Sequence, residues 1–300
     1  MTIAPRHIFA ALPMLFAAAA FAQTTSAKPT TSAEILAAAP ASAWKTVPDE
    51  DLLLLDLDGG KRVAIALAPY FAPVHVANIR ALARAGWFGG ITVNRVQDNY
   101  VVQWGDATEK KALPTGIVAA PPAEYDRPVS GLKLRPLGYR DAYAETTGHV
   151  GGWPVASDGK AAWLTHCYGM VGVGRGLAPD TGTGAELYTV TGHAPRHLDR
   201  NIATVGRVLD GIEALTALPR GTEALGFYKE GTPRPAIVRA TIAADLPAAQ
   251  RPHYQVFDST SPSFGEWVTA RANRKDDFFI RPAGAVDICN AMAPVRKTPA

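Results

Sequence analysis

Trp87-Phe88-Gly89-Gly90-Ile91-Thr92-Val93-Asn94-Arg95-Val96 runs on through Asp98-Asn99-Tyr100-Val101-Val102-Gln103-Trp104-Gly105-Asp106. Gly89-Gly90 turns the chain into a strand, Ile91–Val96, and Tyr100–Trp104 makes the next one. The first strand carries one cation, Arg95, and the second carries Tyr100 and Gln103 ahead of Gly105-Asp106. Upstream, Leu52–Leu57 is an apolar run interrupted only by Asp56, Asp58-Gly59-Gly60 is turn chemistry, and Arg62–Leu67 is a second apolar strand, which together predict a β-hairpin. Pro73–Arg84 repeats its apolar residues at helical spacing and meets Gly86 just past its end, which predicts an amphipathic helix with a glycine stop.

Downstream, residues 107–165 hold Pro114, Pro121, Pro122, Pro128, Pro136 and Pro154 with glycines between them. That composition permits only short elements, and so long an excursion needs packing of its own. Strand character returns at Cys167–Val173, Glu186–Thr191, Ala203–Val208 and Pro235–Ile242, with a short helix at Gly211–Ala217 that Asp210 is placed to cap. Ser261–Asn273 reads as a further helix, with Phe264, Trp267 and Val268 on its apolar face. Ser32–Ala38 reads as a short one with Ser32 as cap. Strands outnumber helices. The expected fold is therefore mainly β: a closed antiparallel barrel of about eight strands with two capping helices, a Pro/Gly-rich insertion and a helix-bearing C-terminal extension.

Three ordered blocks carry a resemblance. After Trp87–Asp106 come Gly172-Val173-Gly174-Arg175-Gly176, then Gly184-Ala185-Glu186-Leu187-Tyr188-Thr189-Val190, then Leu198-Asp199-Arg200-Asn201-Ile202-Ala203-Thr204-Val205-Gly206-Arg207-Val208. In order and spacing the chain from about Leu52 to Ile242 resembles the cyclophilin family of peptidyl-prolyl isomerases, interrupted by 107–165. The resemblance implies that Arg95 is the catalytic arginine and Gln103 the glutamine beside it. It implies a proline pocket made by Tyr100, Val101 (where a methionine is usual), Tyr188 at the floor and Leu198 at the rim. Gly174 and Arg175 match the strand that pairs with substrate backbone, where Ala-Asn is common. His197 stands where tryptophan, phenylalanine or histidine occurs, Ile202 where many members keep histidine, and Glu186 where glutamine is usual. These departures change the shape and polarity of the pocket.

The residue types suit the reaction. Turning an X–Pro bond means breaking amide resonance, a barrier of about 18–20 kcal/mol, which takes about 10–100 s unaided. No nucleophile, metal or cofactor is required. The task is to hold proline in an apolar pocket while a guanidinium donates to the nitrogen as it becomes pyramidal, which stabilises the transition state rather than either ground state. The expected partners are proline-containing polypeptides. A non-catalytic proline-peptide binding or chaperone module using the same pocket is the alternative. A hydrolase has no nucleophile motif behind it.

Composition sets the outer limits. Lys+Arg 30 against Asp+Glu 27, a net charge of +3 over 300 residues, gives no basic surface suited to nucleic acid. Hydrophobic residues at 47% and charged residues at 19% indicate a globular chain. Met1–Ala22 has Arg6 and His7, no acid, an apolar run from Ile8 to Phe21 and a small-x-small site at Ala20-Phe21-Ala22. That is the pattern of a secretory signal peptide cleaved after Ala22, and its run is shorter than the roughly 20 residues a membrane-spanning helix needs. The expectation is export to the periplasm as a monomer with no lasting membrane insertion. In an oxidising compartment two distant cysteines, Cys167 and Cys289, read as a disulfide. The chain then divides into a signal peptide 1–22, a lead-in 23–50, a barrel 51–242 with its insertion 107–165, and an extension 243–300 packed on the barrel.

Other features have plainer readings. His193 and His197 are four apart, but Pro195 lies between them and no third ligand follows, so a solvated loop pair is expected. The glycines from Gly169 to Gly184 are not followed by Gly-Lys-Ser/Thr and belong to strand and turn packing. Asp49–Asp51 and Asp276–Asp277 read as solvated surface.

Overall fold

The computed structural model describes residues 30–276 and 278–299; the targeting segment assigned to residues 1–22, and residues 23–29 after it, lie outside the described residues. Leu52–Leu57 (β1) and Arg62–Leu67 (β2) form the predicted hairpin, with Leu53 opposite Ile65 and Leu55 opposite Val63. Its turn uses Gly59 and Gly60 at φ +73° and +74°, where a side chain would be strained. Leu53, Leu55, Val63 and Ile65 face the barrel interior. Leu52, Leu54, Ala64 and Ala66 face the other way, against Val47 and Tyr254. The four consecutive leucines Leu52–Leu55 thus mark a strand buried on both faces rather than one that alternates with solvent.

The barrel strands continue as Thr92–Val96 (β3), Val101–Gly105 (β4), Met170–Val173 (β5), Leu187–Val190 (β6), Thr204–Asp210 (β7) and Ile237–Ile242 (β8). All pairings are antiparallel, in the order β8-β1-β2-β7-β5-β6-β4-β3. Ile237 N donates to Ile91 O (2.8 Å), Val93 N to Pro235 O (2.9 Å), and Gly90 N to Ile237 O (2.9 Å), which brings the two edges together and nearly closes the barrel. Trp104, Phe88, Ile79 and Leu82 fill the interior, all at most 1% exposed.

The α-helices among the described residues are Ser32–Ala38 (α1), Pro73–Arg84 (α2), Glu213–Thr216 (α3) and Pro262–Ala272 (α4). Three cap assignments differ from or extend the expectation. Thr31, not Ser32, caps α1, in a reciprocal capping box with Glu34. Asp210 does not cap α3; it accepts from Tyr254 Oη (2.8 Å), because the chain turns through Gly211 before the helix starts. At α2 the cap comes from the insertion: the Glu124 carboxylate accepts from Val74 N (2.9 Å) and His75 N (3.0 Å). Ser261 caps α4 by accepting from Phe264 N (3.2 Å).

The insertion builds a sheet of its own. Its strands are ordered Arg127–Pro128, Ala161–Leu164, Trp153–Ser157, Thr146–Val150 and Arg135–Pro136. A third sheet joins the lead-in to the extension, Trp44–Thr46 beside His253–Phe257 beside Val295–Thr298. A second core forms between these layers from Trp44, Leu164, Met170, Phe257, Phe264 and Ile288. Each such side chain contributes about 1.5–3 kcal/mol by leaving water. The Cys167–Cys289 disulfide lies in this core, with Cα atoms 4.9 Å apart, and ties the end of the insertion to the extension. Asp49 and Asp51 are not free surface acids: Asp49 pairs with Arg251 (3.1 Å) and Asp51 with Arg80, because the lead-in folds back onto α2 and the extension. Among the described residues no helix is long and apolar enough to cross a membrane.

Candidate active site

The site begins with an irregularity. Across β3 and β4, Val93 faces Trp104 but Arg95 faces Gln103, so Asn94 is an extra residue in a β-bulge. The bulge lets Val93 and Val96, three apart, both point into the core while Arg95 points out. Asn94 holds it in shape: its Nδ2 donates to Gly105 O (3.1 Å), and its Oδ1 accepts from Thr92 Oγ1 (2.7 Å).

Register then aligns a row of side chains. Arg95 is opposite Gln103, Gln103 opposite Tyr188, and Tyr188 opposite Gly172, across β3, β4, β6 and β5. Gly172 is needed there, since a Cβ would lie 2.3 Å from the Tyr188 hydroxyl. Beside this row Glu186 projects over Gly174, whose Cβ would lie 2.6 Å from Glu186 Cγ. The glycine that stands in place of the common alanine therefore gives Glu186 its seat.

Arg95 is half-buried and held on several sides. Its Nε donates to Leu225 O (2.6 Å), its Nη1 to Gln103 Oε1 (3.1 Å) and its Nη2 to Gln97 Oε1. Its guanidinium lies 5.5 Å from the Tyr100 ring centroid and 5.6 Å from that of Phe227. Burial lowers its pKa from the ordinary arginine value. Gln103 in turn donates through Nε2 to Glu186 Oε1. Because a carboxylate only accepts, this bond fixes which end of the Gln103 amide meets Arg95. Burial raises the Glu186 pKa, against the opposing effects of the Gln103 bond and the Arg95 charge.

An apolar patch adjoins this polar row. Val101, Tyr188 and Val190 are buried together, with Tyr100 and Ile202 packed against them. His197 is exposed and stacks on Tyr100 at 6.1 Å with an interplanar angle of 3°. Arg175 crosses from the end of β5 to the opposite turn, donating to Asn201 O through Nε (3.0 Å) and Nη2 (2.9 Å). Arg95, Gln103, Tyr100, Val101, Glu186, Tyr188, His197 and Ile202 are thus drawn to one face. Leu198 is half-buried on the short turn Arg196–Leu198, outside the apolar cluster.

Sequence reasoning missed Leu225 and Phe227, which frame Arg95 from a loop far along the chain. The Leu225 carbonyl is presented by a residue at φ +59°, a backbone feature with no signal in a leucine. It also missed Gln97, which was visible only as a residue between two strands.

Residues 53–241 match the family model described as "Cyclophilin type peptidyl-prolyl cis-trans isomerase/CLD". The chain belongs to this family. Among curated proteins, this cyclophilin is 27% identical over 198 residues to the "Probable peptidyl-prolyl cis-trans isomerase" of Brucella suis biovar 1, covering 65% of this chain and 84% of the relative. It is 26% identical over 198 residues to the protein of the same description from Brucella abortus, with the same coverage. Among solved structures, the cyclophilin AquaCyp293 from Hirschia baltica superposes with a TM-score of 0.67 at 24% identity, covering 89% of this chain and 97% of the other. That likeness concerns the fold and includes the added layers as well as the barrel.

Proposed function

We propose that this cyclophilin isomerises X–Pro bonds of exported polypeptides, with Arg95 acting on the twisted amide and Gln103 orienting it. The observation that carries the reading is the tethering of Arg95 beside an apolar patch. Of the five N–H donors of a guanidinium, three are used by Leu225 O, Gln103 Oε1 and Gln97 Oε1. Two remain for substrate. A donor already fixed in place needs no reorganisation as the proline nitrogen pyramidalises, which is the condition for electrostatic stabilisation of a transition state.

Val101, Tyr188, Tyr100 and Ile202 supply the surface for the proline ring, with Leu198 at its edge. Gly174 and Arg175 run past the end of β5, where an extended substrate backbone would lie, and Glu186 sets the polarity between them and Gln103. Export rests on the charged start, apolar run and small-x-small site of residues 1–22, and agrees with the Cys167–Cys289 bridge. In this reading residues 51–242 are the catalytic barrel, and 23–50, 107–165 and 243–300 are layers packed around it.

Exchange NMR on a proline peptide separates catalysis from binding. Wild type is expected to broaden cis and trans signals through accelerated exchange, and Arg95→Ala to bind without doing so. Binding with no acceleration by wild type would favour the peptide-binding alternative.

A further inference from the structure

Behind the pocket runs a buried chain of polar side chains that the reaction does not use. The Tyr188 hydroxyl lies 2.8 Å from His166 Nε2. His166 Nδ1 is 3.0 Å from Asp199 Oδ1. Asp199 Oδ2 accepts from Arg196 Nε (2.6 Å) and Trp163 Nε1 (3.3 Å). Arg196 grips Asp141 with both terminal nitrogens, at 3.0 and 3.2 Å. The side chains of His166, Asp199, Arg196 and Asp141 are all 7% exposed or less. Asp141 and Trp163 belong to the insertion and His166 directly follows it, whereas Arg196 and Asp199 flank His197 and Leu198 at the pocket rim.

We propose that His166 is a positioning residue for the proline pocket, through which the insertion fixes both the floor ring of Tyr188 and the rim turn. The Asp199 carboxylate accepts from Nδ1–H, which leaves Nε2 as the acceptor that orients the Tyr188 hydroxyl. Burial alone would raise the Asp199 pKa; the His166 bond and the Arg196 charge outweigh it and keep the carboxyl ionised. Tyr188 lies over its strand partner Gly172, where a Cβ would come within 2.3 Å of the hydroxyl, so the bare backbone there seats the ring and the His166 bond holds its hydroxyl end. Without the bond the hydroxyl loses its fixed partner, the ring is free to turn away from its seat on Gly172, and the floor changes shape. The insertion is then a brace for the site rather than a separate appendage. This inference rests on the pocket assigned above.

The test compares His166→Asn with His166→Gln in isomerase kinetics and peptide titration. An asparagine amide sits near Nδ1, keeps Asp199 and loses Tyr188; a glutamine amide reaches the Nε2 position and keeps Tyr188. His166→Asn and Tyr188→Phe should each weaken proline-peptide affinity about 3- to 10-fold, the worth of one hydrogen bond, and in His166→Asn kcat should be little changed. The double variant should be no worse than either single, and His166→Gln should stay within about 2-fold of wild type. Equal losses in the Asn and Gln variants, losses that follow Tm alone, or losses that multiply in the double variant would overturn the inference. If His166→Asn does not fold, Tyr188→Phe decides, and wild-type affinity there overturns it. Arg95→Ala in the same assay keeps the two readings apart: a normal rate there removes the assigned site, whereas a lost rate beside an unaffected His166→Asn removes only the brace.

Discussion

Arg95 and Gln103 face each other across two strands, Nη1 to Oε1 at 3.1 Å, only because Asn94 is looped out between Val93 and Arg95. Strict alternation from Val93 would turn Arg95 into the barrel and Asn94 out of it. The facing of Arg95 and Gln103 therefore depends on a third residue, Asn94, outside the pair.

Asn94→Ala removes the bonds to Gly105 O and Thr92 Oγ1 that shape this bulge. The expected result is a stability loss of about 1–2 kcal/mol by urea unfolding, together with a fall in kcat/KM of several-fold. An Asn94→Ala protein with wild-type kcat/KM would show that the bulge holds its shape without these bonds.

Glu186 is expected to give the enzyme an acid limb. Its pKa is raised by burial, with Glu109 adding to the rise and Arg95 and Gln103 opposing it. As pH falls, Glu186 gains its proton earlier than an ordinary glutamate, ceases to be a pure acceptor, and releases the fixed orientation of Gln103. The pH profile of kcat/KM should fall on the acid side above the usual glutamate range, and Glu186→Gln should flatten that limb. An unchanged limb in Glu186→Gln would assign it to another group.

His149 makes the fold itself acid-sensitive. It is buried against Phe264, its Nε2 is 2.8 Å from Ala291 O, and burial lowers its pKa from 6.5 to about 4. The unfolded chain therefore binds a proton that the folded chain refuses between those values. Stability is complete above 6.5 and is lost as pH falls toward 4, by roughly 3 kcal/mol from this residue. Urea unfolding at several pH values should show a shallower acid loss in His149→Gln than in wild type.

The disulfide closes a loop with a sequence separation of 122. Chain entropy assigns a loop of that order about 4–5 kcal/mol of stabilisation. Reduced protein should unfold at clearly lower denaturant concentration than oxidised protein, measured by fluorescence at matched pH. Coincident curves would mean that the second core holds the extension without help.

The barrel strands and the row Arg95–Gln103–Tyr188 were legible because their residues lie in contiguous blocks whose order and spacing carry the resemblance, even though Gln103 and Tyr188 pair across a long stretch of chain. Leu52–Leu57 showed its strand, and its lack of alternation carried a further message, burial on both faces, that becomes plain once Tyr254 is seen beneath it. The second core left no such trace. Trp44, Leu164, Phe257 and Ile288 meet from four distant stretches, and no local period connects them. Glu124 capping α2 from the insertion and Leu225 O holding Arg95 are likewise long-range backbone matches that residue type does not announce. Asn94 was the intermediate case: Val93 and Val96 both read as apolar, and their spacing of three was the sign of the bulge.

The central claim is that Arg95 does the chemistry. A protease-coupled proline-peptide assay on wild type and Arg95→Ala, with peptide affinity and Tm measured on the same samples, tests it most directly. The account predicts that Arg95→Ala stays folded, still binds peptide and loses about 100-fold or more in kcat/KM, the scale of removing one transition-state donor. A folded Arg95→Ala protein that isomerises as fast as wild type would contradict it.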